Sequence, residues 1–178
     1  MKTSTNGIAA ILAHEAIVLS TYDDGVGVLT IGAGHTAMAG DPNPTRGLKI
    51  SLTEAINIFR TDLVKYERTV ERSVRVDLTQ NQFDALVSWH YNTGAIKTAT
   101  LTKKVNNKDF VGAAKEFARW NKAKGRVLRG LTKRRKEEAA ILSKADYGSN
   151  PVLVYDTKGG DAAILPRDKV LKLFNTRE

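Results

Sequence analysis

The stretch "HEAIVLSTYDDGVGVLTIGAGHT" (His14–Thr36) decides how this chain is read. A glutamate closes what reads as a helix, two aspartates lead into a glycine-rich turn, and a threonine follows in strand-like alternation. Upstream, Ile8, Ile11, Leu12 and Glu15 fall on one face of a first helix whose start is marked by Thr5 or Asn6. Residues 22–35 then alternate as strands around an Asp24-Gly25 turn.

Because Glu15 follows Leu12 and Ile11 at helical spacing, it shares their apolar stripe. A carboxyl set against apolar surface loses hydration, which favours its protonated form. That is what a general acid needs, although a single glutamate at a helix end has a plainer reading as a frayed terminus. Asp24 lies among glycines, open to water and backbone donors, in the setting of a carboxylate. Turn chemistry alone would also account for it. Thr30 is a strand residue by propensity, with a hydroxyl able to hold a water. Taken together, one acid, one carboxylate and one hydroxyl are the equipment for hydrolysing a glycosidic bond.

Most of the remaining chain reads as helix. "DPNPTRG" (41–47) is loop. Ser51-Leu-Thr-Glu54 forms a capping box, and Leu52, Ile56, Phe59, Leu63, Tyr66 and Val70 continue a long amphipathic helix. Thr79-Gln-Asn-Gln82 opens another helix, which Gly94 ends. Shorter helices are expected at about 100–106, 109–121 and 131–145. From Tyr147 the pattern changes to "PVLVYD", a Lys-Gly-Gly-Asp turn, "AAILP" and a short "KVLKLF", as in a small hairpin appended to a helical domain.

Composition narrows the function classes. At 178 residues and 42% hydrophobic, one core is the default. The absence of cysteine excludes disulfides and cysteine-based metal or nucleophile sites. A formal net charge of +9 calls for an anionic partner such as nucleic acid, a membrane surface or a bacterial envelope. No apolar run approaches the ~20 residues of a membrane span, and "IAAILA" is too short and too weakly flanked to read as a signal peptide. Three scattered histidines make a metal site unexpected, and His14-Glu15 lacks the second histidine of a zinc-protease helix, Val18 standing in its place. Gly32-Ala-Gly34 and the residues after it fit a dinucleotide fingerprint only formally, since they run into "DPNP" instead of opening a helix.

The pattern of Glu15, Asp24 and Thr30 within "TIGAGHT" resembles the phage-type lysozymes, glycoside hydrolase family 24. The resemblance continues through "LTQNQFDALVSWHYNTG" (78–94), "FARWNKAKGRVLRGL" (117–131) and Arg134-Arg135 with Glu138, covering roughly residues 5–145. It implies an α+β fold with a small hairpin-bearing lobe, a long connecting helix and a helical lobe, with the substrate cleft between the lobes. It also implies a muramidase domain at 1–146, leaving 147–178 as an extension of unassigned role. Glu15 would be the proton donor, Asp24 the second carboxylate, and Thr30 the residue that fixes a water, an arrangement that favours inversion. His35 would brace the hairpin structurally.

Tyr91 and Asn92 match a cleft-lining position suited to N-acetyl sugars, whereas Trp120 divides evenly between cleft and core. Arg134 and Arg135 read as a solvated helix face paired with Glu138. Two departures from the family pattern stand out, Ala16 in place of the usual glycine and Ala33 in place of the usual aromatic. The function implied is cleavage of the β-1,4 bond between N-acetylmuramic acid and N-acetylglucosamine in peptidoglycan. A monomeric endolysin without cofactor is expected, not inserted in the membrane, held in the host cytoplasm until a separate pore releases it to the wall. The rivals are a lytic transglycosylase, which would not need Asp24 and Thr30 to position a water, and a basic nucleic-acid-binding protein. Glu137 and Glu138 interrupt the basic run that the latter would use.

Overall fold

The computed structural model describes residues 1–175. The first elements are α1 (Thr5–Glu15), β1 (Ile17–Asp23), β2 (Leu29–Gly32), β3 (His35–Thr36), α2 (Leu52–Ser73) and α3 (Gln80–Thr93). After them come α4 (Thr100–Asn106), α5 (Phe110–Glu116), β4 (Lys122–Ala123), β5 (Arg126–Val127) and α6 (Arg129–Lys144). The chain continues with β6 (Val152–Tyr155), β7 (Ala162–Leu165) and α7 (Arg167–Asn175). Helices and a mixed sheet together make the expected α+β class. The chain divides into two compact units, one comprising Ile8–Leu63 with the chain from Ser149 onward, the other Met1–Gly7 with Val64–Gly148.

In the first unit the sheet runs in the order β3-β2-β1-β6-β7. Both β1/β2 and β2/β3 are antiparallel, with Tyr22 opposite Thr30 and Ile31 opposite His35. The tail does form the expected hairpin, and its strand β6 joins the sheet parallel to β1, pairing Ile17 with Val154 and Val18 with Tyr155. Alternation explains the fit, because Val152 and Val154 point inward while Leu153 and Tyr155 stay half-buried. Ile11, Leu12, Ile17, Ile31, Phe59 and Leu63 form the centre of this core. The capping box of α2 is built as the residues suggest: the Ser51 N–H donates to Glu54 Oε2 at 2.7 Å and the Glu54 N–H to Ser51 Oγ at 3.2 Å.

In the second unit Thr79 and Gln82 cap α3 reciprocally, and Gly94, at φ +67°, ends it in the left-handed conformation that glycine adopts without a Cβ penalty. Phe83, Leu86, Trp89, Leu101 and Phe117 fill the core. The segment expected as one helix at 109–121 is α5 followed by a 3₁₀ turn at Phe117–Trp120. The short exposed hairpin β4–β5, turning at Lys124 and Gly125 with positive φ, went unread because two residues per strand carry no alternation. Among the described residues no helix is long and apolar enough to cross a membrane.

Candidate active site

Glu15 is the last residue of α1, and the backbone just after it decides where its side chain lies. The Ala16 N–H donates to the Leu12 carbonyl at 3.1 Å while Ala16 itself sits at φ +59°. That left-handed residue stops the helix and turns the chain directly into β1. A glycine is the residue this conformation favours, which gives the departure at Ala16 a physical meaning. Half-buried Glu15 then lines a pocket of about 290 Å³ together with Ala16, Val18, Tyr22 and Gly32.

Tyr22 belongs to this site, and sequence reasoning passed over it. It shares a pocket with Val18, and burial raises its phenol above the usual range, helped by the nearby charges of Asp24 and Glu15. Both carboxylates therefore act on the same tyrosine. The available signal was strand periodicity, since 18 and 22 fall on one face of a period-two strand.

The hairpin is shaped by two neighbouring carboxylates. Asp24 Oδ1 accepts from the Val26 and Val28 N–H groups at 3.0 and 3.1 Å. Asp23 Oδ1 accepts from Gly25 and Gly27 at 2.9 and 3.0 Å, and these bonds hold its carboxyl below the usual range. Asp24 thus performs the turn chemistry read from its sequence context, while its Oδ2 makes no hydrogen bond among the described residues. Thr30 is buried, faces Tyr22 across the hairpin, and donates its hydroxyl hydrogen to the Val28 carbonyl at 3.2 Å. Its oxygen keeps acceptor capacity.

His35 is 1% exposed, with Nδ1 2.9 Å from Asp62 Oδ2 and Nε2 3.0 Å from the Pro42 carbonyl. One ring ties the hairpin to α2 and to the 41–47 loop. Ala33 is buried too, so the position that usually carries an aromatic here faces the interior.

The remaining candidates belong to the second unit. Tyr91 is half-buried with its ring centroid 4.9 Å from that of Tyr66. Asn92 is exposed, and its Oδ1 accepts from Arg135 Nη2 at 2.9 Å. Trp120, also half-buried, meets the fully buried Trp89 edge-on, with centroids 5.1 Å apart. It therefore contributes to packing while keeping part of its surface open. Close by in sequence, His90 is held below the usual histidine range by burial and by the charge of Lys97.

Arg134 and Arg135 require a correction. They do pair with Glu138, but the solvated face expected for them is absent: Arg134 is 5% exposed, and Arg135 and Glu138 are each 1% exposed. Glu138 Oε1 accepts from Ser88 Oγ, Arg134 Nε and Arg135 Nη2 at 2.8, 3.1 and 3.0 Å, and Arg135 Nε lies 2.8 Å from Oε2. Burial pushes the Glu138 carboxyl upward against the pull of both guanidiniums and the serine. The physical reason is that α6 packs this face on α3, where Ser88 supplies a partner from 50 residues away.

A family model described as phage lysozyme matches residues 12–138, well over half the chain. The chain belongs to the phage lysozyme family. It is 36% identical over 151 residues to the endolysin of Acyrthosiphon pisum secondary endosymbiont phage 1, covering 82% of this chain and 100% of that protein. It is 39% identical over 132 residues to the endolysin of Bacillus phage B103, covering 73% of this chain but spanning only 46% of that longer relative. Among solved structures, the endolysin from Escherichia coli O157:H7 phage FAHEc1 superposes with a TM-score of 0.74 at 35% identity, covering 83% of this chain and 97% of its own. This phage-type lysozyme is a glycoside hydrolase of peptidoglycan. Among its described residues no group of three or more His, Cys, Asp or Glu side chains is disposed to hold a metal ion.

Proposed function

We propose that the chain is an endolysin in which Glu15 donates a proton to the glycosidic oxygen between N-acetylmuramic acid and N-acetylglucosamine. Asp24 stabilises the developing oxocarbenium charge or orients the attacking water, and Thr30 accepts a hydrogen bond from that water. The observation that carries this reading is the pocket itself. Glu15 lines it beside Tyr22, and Tyr22 is acted on by the charges of both Glu15 and Asp24. Asn92, its amide oxygen held by Arg135, binds an N-acetyl group, while Tyr91 and the open part of Trp120 meet sugar faces.

The net charge of +9 draws the enzyme to the carboxylates and phosphates of the bacterial envelope. The protein acts as a monomer, is made in the host cytoplasm, and reaches the wall when a separate membrane pore opens. Residues 1–146 carry the muramidase activity.

Glu15→Gln tests the assignment. Lysis of chloroform-permeabilised Gram-negative cells, followed by turbidity, should fall by at least about 100-fold, the lower end of what general acid catalysis contributes. The fold should be retained by circular dichroism. Mass spectrometry of the wild-type products should show new reducing ends and no anhydro-muramic product. Near-wild-type lysis by Glu15→Gln removes the acid assignment, and anhydro products would make the enzyme a lytic transglycosylase.

A further inference from the structure

The pocket that Glu15 lines has a wall built from the chain's tail. Tyr155, Lys158 and Gly159 line it alongside Glu15, Val18 and Tyr22, although the family match ends at residue 138. Tyr155 is placed by strand register, because β6 pairs parallel with β1 and sets Tyr155 beside Val18. Lys158 sits in the β6–β7 turn with Nζ 4.9 Å from the centroid of the Tyr22 ring. The turn has a defined shape, since the Gly160 N–H donates to the Thr157 carbonyl at 3.1 Å and Gly159 takes φ +81°. Asp156, at its start, lies 3.7 Å from Lys49 Nζ.

These contacts hold an exposed ammonium at a pocket whose other ionisable linings, Glu15 and the two tyrosines, carry no positive charge. Bond cleavage in a glycan gives such a cation no evident task. With the lactyl carboxyl of N-acetylmuramic acid tied up in its amide to the stem, the sugars offer it no anion, whereas the carboxylates of the peptide stems do. A lysine, with a compact charge on a flexible stem, suits a carboxylate on a mobile peptide better than a fixed planar fork would. The Tyr155 ring beside it offers a flat face for a sugar.

We propose that the tail hairpin forms a specificity wall of the active site, in which Lys158 binds a carboxylate of the substrate's peptide stem and Tyr155 packs against the sugar that bears it. This rests on Glu15 being the catalytic acid. Two binding residues would then lie in a segment beyond the family match, joined to the active site by the β1/β6 pairing.

The test compares initial rates of reducing-end release on intact peptidoglycan with those on the same peptidoglycan after its stem carboxylates have been converted to amides. On intact peptidoglycan, Lys158→Ala should raise KM about two- to fivefold, the range of an exposed ion pair, with kcat unchanged. On the amidated substrate the variant and wild type should coincide. Lys158→Arg should restore KM on the intact substrate, and added salt should erode the wild-type advantage. Tyr155→Ala should raise KM on both substrates.

Equal KM for Lys158→Ala and wild type on intact peptidoglycan overturns the proposal, as does an equal loss on both substrates. A wild-type enzyme that released no reducing ends from either substrate would instead overturn the muramidase reading itself.

Discussion

In the hairpin, Asp23 and Asp24 are exposed and each accepts two backbone N–H bonds, whereas Glu138 in α6 is buried between two arginines and a serine. The same chemical group is pushed in opposite directions, Asp23 below the usual range by its amide donors and Glu138 above it by burial. An exposed carboxylate keeps its hydration, so donors that converge on it act with little opposing cost. A buried one must first lose that hydration, and its ion pairs chiefly repay the loss. The hairpin carboxylates therefore shape a solvent-open turn, while the α6 cluster locks two helices with a penalty for any missing partner.

The strongest way to break this contrast is Glu138→Gln. It leaves two nearly inaccessible guanidiniums without their counter-charge, and the expected loss is about 3–5 kcal/mol, as for other buried pairs missing one partner. At roughly 2–4 °C per kcal/mol for a chain of this size, the thermal midpoint should fall by about 6–20 °C. Urea unfolding of the variant provides an independent value. A loss below about 1 kcal/mol would mean that the cluster is as tolerant as a surface ion pair. Arg135 also holds the Asn92 amide, so activity should fall together with stability.

What could be read from sequence was local. The two capping boxes, the α2 stripe from Ile56 to Val70 and the spacing of Glu15, Asp24 and Thr30 are patterns within a single element or a single turn. Arg134, Arg135 and Glu138 defeat that reading because charges three and four apart look the same on a wet face and on a buried one. What distinguishes them is Ser88, in another helix. The tail hairpin is visible as alternation, but its partner β1 lies more than a hundred residues earlier, so its share of the Glu15 pocket is not. Tyr22 was hidden for a related reason: its importance comes from the pocket it lines rather than from a motif.

A smaller effect sharpens the hairpin side of the contrast at the residue just before its first strand. Ala16 holds a left-handed conformation that costs a non-glycine residue about 1–2 kcal/mol. Ala16→Gly relieves that strain but loosens the unfolded chain by about 0.4–1 kcal/mol, so a net stabilisation of up to about 1.6 kcal/mol is expected. Chemical denaturation midpoints measured with an unchanged slope would show it. A destabilised variant would mean that the alanine methyl group contributes packing worth more than the strain.

The smallest expected effect is also the most local. Asp23 is fully exposed, and its lowered carboxyl follows first from the Gly25 and Gly27 amides, with Arg46 adding a minor pull. The sign follows from the direction of that shift. A carboxyl held below its unfolded value of about 3.9 contributes fully above that pH and loses its contribution as pH falls through the folded value. Amide exchange at Gly25 and Gly27 should therefore be several-fold faster in Asp23→Ala than in wild type near pH 6. The two proteins should converge once the acid is protonated. Asp23→Asn keeps an acceptor oxygen without the charge, so it should fall between them near pH 6 and show no convergence of its own. If wild type and Asp23→Ala exchange alike at every pH, the amide bonds are too weak to shape the turn. The hairpin would then owe its form to its four-residue run of Asp24-Gly-Val-Gly27 and to the Asp24 bonds alone.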